Sequence, residues 1–258
     1  MNFEIVPGDS SSPYVIHVPH SAFTIPGDIR ARLLLGDDAL AEELRLMTDA
    51  HTDELALRAA GEVTPRPWLF VNRLSRLVVD PERLPDDHEV MSDVGMGAVY
   101  TRTSGGLVLR GDDPQYRQEL LSRYFAPYAE AMADLVDERI SAAGHAIVVD
   151  FHSYPLTALP YERYQDARRP PVCVGADFDH TPAALVERVS SACSVLGDVV
   201  VNEPFVGSYI PLRHFGRDIF VTSVMVEIRR DTHLGGDGSL DPEGADHVVQ
   251  ALVAILEG

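Results

Sequence analysis

Nine residues, AIVVDFHSY at positions 146–154, restrict the fold more than any other stretch of this chain. Ala146 to Val149 is apolar at consecutive positions, so a strand there must be covered on both faces. Further short apolar runs lie at 14–18, 68–71, 77–79, 172–174, 199–201 and 219–226. Between them the apolar spacing becomes helical, over 38–60, 114–143, 182–196 and 245–256. Continuous strands alternating with helices predict an α/β fold, one domain over residues 1–258. The expected core is a mostly parallel or mixed central sheet with helices on both faces. Residues 81–113 are rich in Pro, Gly and Asp. They are expected to form a long loop excursion carrying a small hairpin, and loops of that length are often functional.

Composition narrows the partners. The 258 residues are 45% hydrophobic, enough to bury a core without disulfides. Forty acidic against 21 basic residues leave a net charge of −19. That argues against binding nucleic acid or an anionic membrane surface. A small anionic substrate remains compatible, because a few arginines reverse the field locally. Cys173 and Cys193 match neither a metal spacing nor a disulfide framework, which suits a reducing cytoplasm. The opening MNFEIVPGDSSSP lacks a basic-then-apolar leader pattern. No apolar run approaches the ~20 residues of a membrane span. The expected location is the cytoplasm, with the oligomeric state open.

Ligands of open parallel sheets bind beyond the carboxyl ends of the strands. YVIHVPHS ends in His20 and Ser21, and AIVVDFHS in His152 and Ser153. VTSVMVEIRR ends in Glu227, Arg229 and Arg230, and LFVNRLSRLVVDPER delivers Arg73, Arg76, Asp80 and Arg83. Two neutral imidazoles and a carboxylate make a hydrolytic zinc site with one position left for water. LRLMTDAHTDELA offers Asp49, His51, Asp53 and Glu54 for the third ligand. A lone strand-end histidine is more often structural, so the pair carries the reading. His51 and Glu54 read most simply as a solvated helix face, and His17 as a satisfied core histidine or one that supports a ligand from behind. Of adjacent Arg229 and Arg230, at most one faces a site. No Gly-x-Ser-x-Gly elbow, Walker loop or His-Glu-x-x-His is present.

The ordered set VPHSA, TDAHTDELA, NRLSRLVVDPER, VVDFHSYP, NEPFVGSY and VMVEIRR, spread over about residues 15–232, resembles the N-formylglutamate amidohydrolases. The resemblance implies a phosphorylase/hydrolase-like fold related to zinc carboxypeptidases. It implies metal-assisted hydrolysis of an N-formyl or N-acyl amide on glutamate or a similar amino acid, within histidine degradation. It places metal ligands, for Zn2+ or another divalent ion, at His20, His152 and Asp49, with Asp53 the alternative acid. It places the general base at Glu227. Arg76, Arg83, Asn202 and Arg229 are then the expected substrate-binding residues, and Asp150 is expected behind or beside His152. Two positions depart from the pattern, Ala22 after PHS and Ser208 in NEPFVGS, where glycine is usual. The resemblance therefore speaks more firmly for the reaction type than for glutamate. The rival readings are a zinc hydrolase of another acyl amino acid or small peptide, and a non-catalytic small-molecule binding protein. A serine hydrolase using Ser21 or Ser153 has no framing motif.

Overall fold

A computed structural model describes residues 2–258. Seven strands form one sheet: β1 (Phe3–Val6), β2 (Tyr14–Val18), β3 (Trp68–Asn72), β4 (Ala146–Tyr154), β5 (Val172–Gly175), β6 (Val199–Val201) and β7 (Val221–Arg229). Their order is β1-β3-β2-β4-β7-β5-β6. The centre, β3-β2-β4-β7, is parallel. At the margins β1 runs antiparallel to β3, and β5 antiparallel to β7 with β6 parallel to β5. The sheet is thus mixed, within the predicted class. Among the described residues seven α-helices accompany it: α1 (Gly27–Arg30), α2 (Asp37–Met47), α3 (Thr52–Glu62), α4 (Pro114–Leu120), α5 (Ala126–Ala143), α6 (Ala183–Cys193) and α7 (Pro242–Glu257).

The central strands alternate between two apolar layers. Ile16, Val149, Val224 and Val226 point into a core closed by α3, α6 and α7. Val15, Phe70 and Val148 point the other way, onto Tyr128, Met132 and Val136 of α5. Each face buries full side chains, which explains the unbroken apolar spelling of the strands. No helix among the described residues is long and apolar enough to cross a membrane.

Three expectations need correction. The 38–60 helix is two helices, because the chain leaves α-geometry at Thr48 and takes φ 66° at His51 before α3 begins. The 114–143 helix is continuous only through a π turn at Leu121–Phe125. The run 77–79 is not a strand. Leu77 and Val78 are buried, but the Ser75 hydroxyl and carbonyl turn the backbone there, and the Arg110 guanidinium donates to the carbonyl oxygens of both residues in place of a ladder partner. Residues 81–113 contain a short 3-10 helix (Val90–Val94) and a single bridge between Arg102 and Val108. They are anchored rather than free, since Met91, Met96, Tyr100 and Leu109 pack with Leu40, Met47 and Leu77.

Candidate active site

The carboxyl ends of β2, β4 and β7 open into a cavity of about 310 Å³. All nine residues of AIVVDFHSY are strand. His152 on β4 stands opposite Glu227 on β7 in the parallel register, and His17 opposite Asp150. His20 follows β2, two residues beyond its end. Asp49 lies in the break between α2 and α3. Its amide donates to the His20 carbonyl, 2.9 Å, and its own carbonyl accepts from the Thr52 hydroxyl, 2.8 Å. The interruption of the helix is therefore what carries this carboxylate to the rim.

Three side-chain atoms converge. Nδ1 of His20 and Nδ1 of His152 are 3.3 Å apart, and Oδ2 of Asp49 lies 3.2 Å from the second and 3.8 Å from the first. All three residues are buried. The outward ring nitrogens are held by carboxylates. Nε2 of His20 donates to Asp80 at 2.9 Å, and Nε2 of His152 lies 3.1 Å from Asp150 and 3.2 Å from Glu82. Asp80 is fixed in turn by the Arg76 guanidinium, at 2.6 and 3.2 Å, and by the Tyr100 hydroxyl. Asp150 also accepts from His17 Nδ1, 2.8 Å, and from the Tyr209 amide, 3.0 Å. His17 Nε2 meets the Tyr128 hydroxyl at 2.6 Å, which satisfies a histidine buried inside its strand.

These surroundings fit a divalent cation. Donors about 2.0–2.1 Å from one tetrahedral ion stand about 3.3 Å apart, close to the spacings found. A proton held on Nε2 toward Asp80 leaves the Nδ1 lone pair of His20 facing the centre. Burial, helped by the Arg76 charge, lowers the His20 pKa and keeps that ring neutral. Burial works against the Asp49 carboxylate, but the His152 hydrogen bond and the charges of His152 and Arg230 help outweigh it and lower its pKa to about 2. Two neighbouring groups, His20 with Asp80 and Glu82, and His17 with Glu82 and Asp150, also cluster ionisable atoms, and both run through the braces just described.

Glu227 is buried in the same cavity, and its Oε2 has no hydrogen-bond partner. Burial pushes its pKa up to about 8, reinforced by the Asp49, Glu82 and Asp150 charges and opposed by His152. A carboxyl poised near neutrality beside converging donors can accept and return a proton.

The remaining sequence candidates divide. Arg76 and Arg83 line the cavity, whereas Arg229 and Asn202 do not. The Arg229 side chain pairs with Asp231, 2.7 Å, and donates to the Arg169 carbonyl. The neighbouring Arg230 points inward and reaches Asp49 Oδ1, 3.2 Å, and the Leu46 carbonyl, 2.7 Å. Asn202 follows β6, which runs against β7, so it is set back at the level of Gly175, where its Oδ1 accepts from the Ala176 amide. Strand direction is invisible in an apolar run, hence that misplacement. Gly175 matters for the same segment, because a Cβ there would lie 2.2 Å from the Gly207 carbonyl oxygen as the chain returns to the rim. Asp53 is bound by Arg73, 2.7 Å, and His51 and Glu54 meet each other on the surface. Ser153 receives a long contact from Arg230, 3.4 Å, and Ser21 Oγ has no partner. Glu82, which reaches His20, His17 and His152, was not singled out in the sequence, where it is one acid among many in an acidic chain.

The sequence model of the N-formylglutamate amidohydrolase family matches residues 12–234. No curated protein matches the chain. The crystal structure of the N-formylglutamate amidohydrolase from Ralstonia eutropha JMP134 superposes with a TM-score of 0.80 at 21% identity, covering 98% of this chain and 95% of that one. A crystallised gene product from Agrobacterium tumefaciens superposes at 0.70 and 18% identity, covering 98% and 92%. At such identities the two structures speak for the fold, and the match over residues 12–234 is what establishes that the chain belongs to the N-formylglutamate amidohydrolase family.

Proposed function

We propose that the chain hydrolyses the amide of an N-formyl or short N-acyl amino acid, releasing formate or the acid and the free amino acid. His20, Asp49 and His152 would hold one divalent ion, and zinc suits two imidazoles and a carboxylate. Once bound, such an ion supplies Lewis acidity toward the amide carbonyl and the attacking water. Asp80 and Asp150 keep the two imidazoles in the orientation described above. Glu227 takes a proton from the attacking water as the C–O bond forms and returns it to the departing amine nitrogen as the C–N bond breaks. Arg83 receives the substrate carboxylate, for which a planar guanidinium is suited. The observation that carries this reading is the buried, unpartnered Glu227 carboxyl sharing one cavity with three convergent donors.

Two variants test it. His152→Ala should lose stoichiometric zinc, measured by elemental analysis. Glu227→Gln should keep the ion while formate release from N-formyl amino acids falls by about 10²–10⁴. Full zinc occupancy in the first, or unchanged turnover in the second, would refute the assignment.

A further inference from the structure

Given the cation centre proposed above, we infer that Arg230 is a positioning residue for it, holding one oxygen of Asp49 so that only the other faces the two imidazoles. Arg230 follows β7 directly, and its guanidinium is engaged at all three nitrogens. Nη2 donates to Asp49 Oδ1, 3.2 Å. Nη1 donates to the carbonyl oxygens of Leu46, 2.7 Å, and Arg45, 3.4 Å. Nε makes the 3.4 Å contact with Ser153 Oγ, next to His152. The side chain is 15% exposed. These bonds have a reason in the chain. α2 stops at Met47, and the Asp49 amide, which would have closed the next turn onto Arg45, goes to His20 instead. The carbonyls of Arg45 and Leu46 are left without helical donors, and Arg230 supplies one.

The consequence falls on Asp49. A carboxylate can hold a cation through one oxygen or through both. Oδ2 stands 3.2 Å from His152 Nδ1 and 3.8 Å from His20 Nδ1, on the side where the donors converge. Oδ1 is turned to the guanidinium, in a charge-assisted hydrogen bond that is stronger than one between neutral groups. While that bond stands, the protein offers an ion two nitrogens and one oxygen, which leaves room for water and the amide carbonyl. Released from Arg230, Oδ1 can turn inward and fill that room. The same guanidinium ties the α2–α3 break, which carries Asp49, to the strands that carry His152 and Glu227. A substrate carboxylate on Arg230 would have to displace one of these partners, which sets it apart from Arg83, whose Nε is unpartnered.

The test uses cobalt(II) in place of zinc, because its visible absorption weakens as its coordination number rises. Unsubstituted protein, Arg230→Met and Arg230→Lys are each loaded with one equivalent of cobalt chloride. The methionine variant should keep the ion but lose the intense bands of four-coordinate cobalt, which the unsubstituted protein should show. The lysine variant, whose single ammonium cannot bridge Oδ1 and the α2 carbonyls, should fall between. It carries the test alone if the methionine variant does not fold. In the zinc forms, kcat for N-formyl-L-glutamate should fall by about 10–100-fold with KM little changed. Unchanged spectra with only a lower melting temperature would make Arg230 a clamp for α2 and overturn the inference. A raised KM at unchanged kcat would make it a substrate anchor, and loss of cobalt from the variants would make it a plain support for Asp49. Either result overturns the inference, as do weak bands in the unsubstituted protein. Absence of turnover in that protein would instead sink the hydrolytic reading, while the cobalt spectra still decide this one.

Discussion

His233, just before the last helix, is 1% exposed, and its Nε2 has no partner. Burial, with the Arg230 and His51 charges, pushes its pKa down to about 4. An unfolded histidine titrates near 6.5, so between those values the unfolded chain binds the extra proton. Stability is then fully present above pH 6.5 and declines as pH falls toward 4, by about 3 kcal/mol from this residue. Urea titrations of metal-free protein at neutral and acid pH should show that margin shrinking relative to His233→Gln. Parallel profiles for the two proteins would show that the imidazole is not the cause. At this scale the sequence was informative where chemistry is local. His20, His152 and Glu227 stand at or just beyond the carboxyl ends of β2, β4 and β7, as the apolar runs before them imply. Asp49 against Asp53, and Arg230 against Arg229, are matters of orientation, decided by a helix break and by side-chain partners that no spacing records.

Elements were legible when their burial was continuous and less so when position in the sheet decided. The central strands were readable as apolar runs. β1 was not foreseen, since its four residues are only partly buried at a margin. The reversal of β5 and β6 was equally hidden. The α2–α3 break offers a test of its own. A non-glycine residue at φ 66° costs about 1–2 kcal/mol in local sterics, and the surface contact of His51 with Glu54 returns little. His51→Gly should therefore stabilise the fold by about 0.5–1 kcal/mol after the added flexibility of the unfolded chain. His51→Val should destabilise it, and neither should alter zinc stoichiometry. A drop in melting temperature for the glycine variant would show that the imidazole contributes more than its backbone costs.

For the molecule as a whole, a net charge of −19 means mutual repulsion across a surface with twice as many acids as bases. Raising sodium chloride from about 20 mM to about 200 mM shortens the screening length several-fold. It should raise the melting temperature of metal-free protein, and a fall on adding salt would mean that surface ion pairs outweigh the excess charge. The cavity lining includes His20, Asp49, Glu82, Arg83, Asp150, His152, Glu227 and Arg230, brought together through the pairing of β2, β4 and β7. Contacts of such long sequence separation close late in folding. A chain emerging from the ribosome presents His20, Asp49 and His152 once the last of them is free, yet lacks Glu227 on β7 until some 75 residues later. On the function proposed above, nascent chains would capture the ion before they could turn over substrate, and its arrival would help to order the half-built sheet.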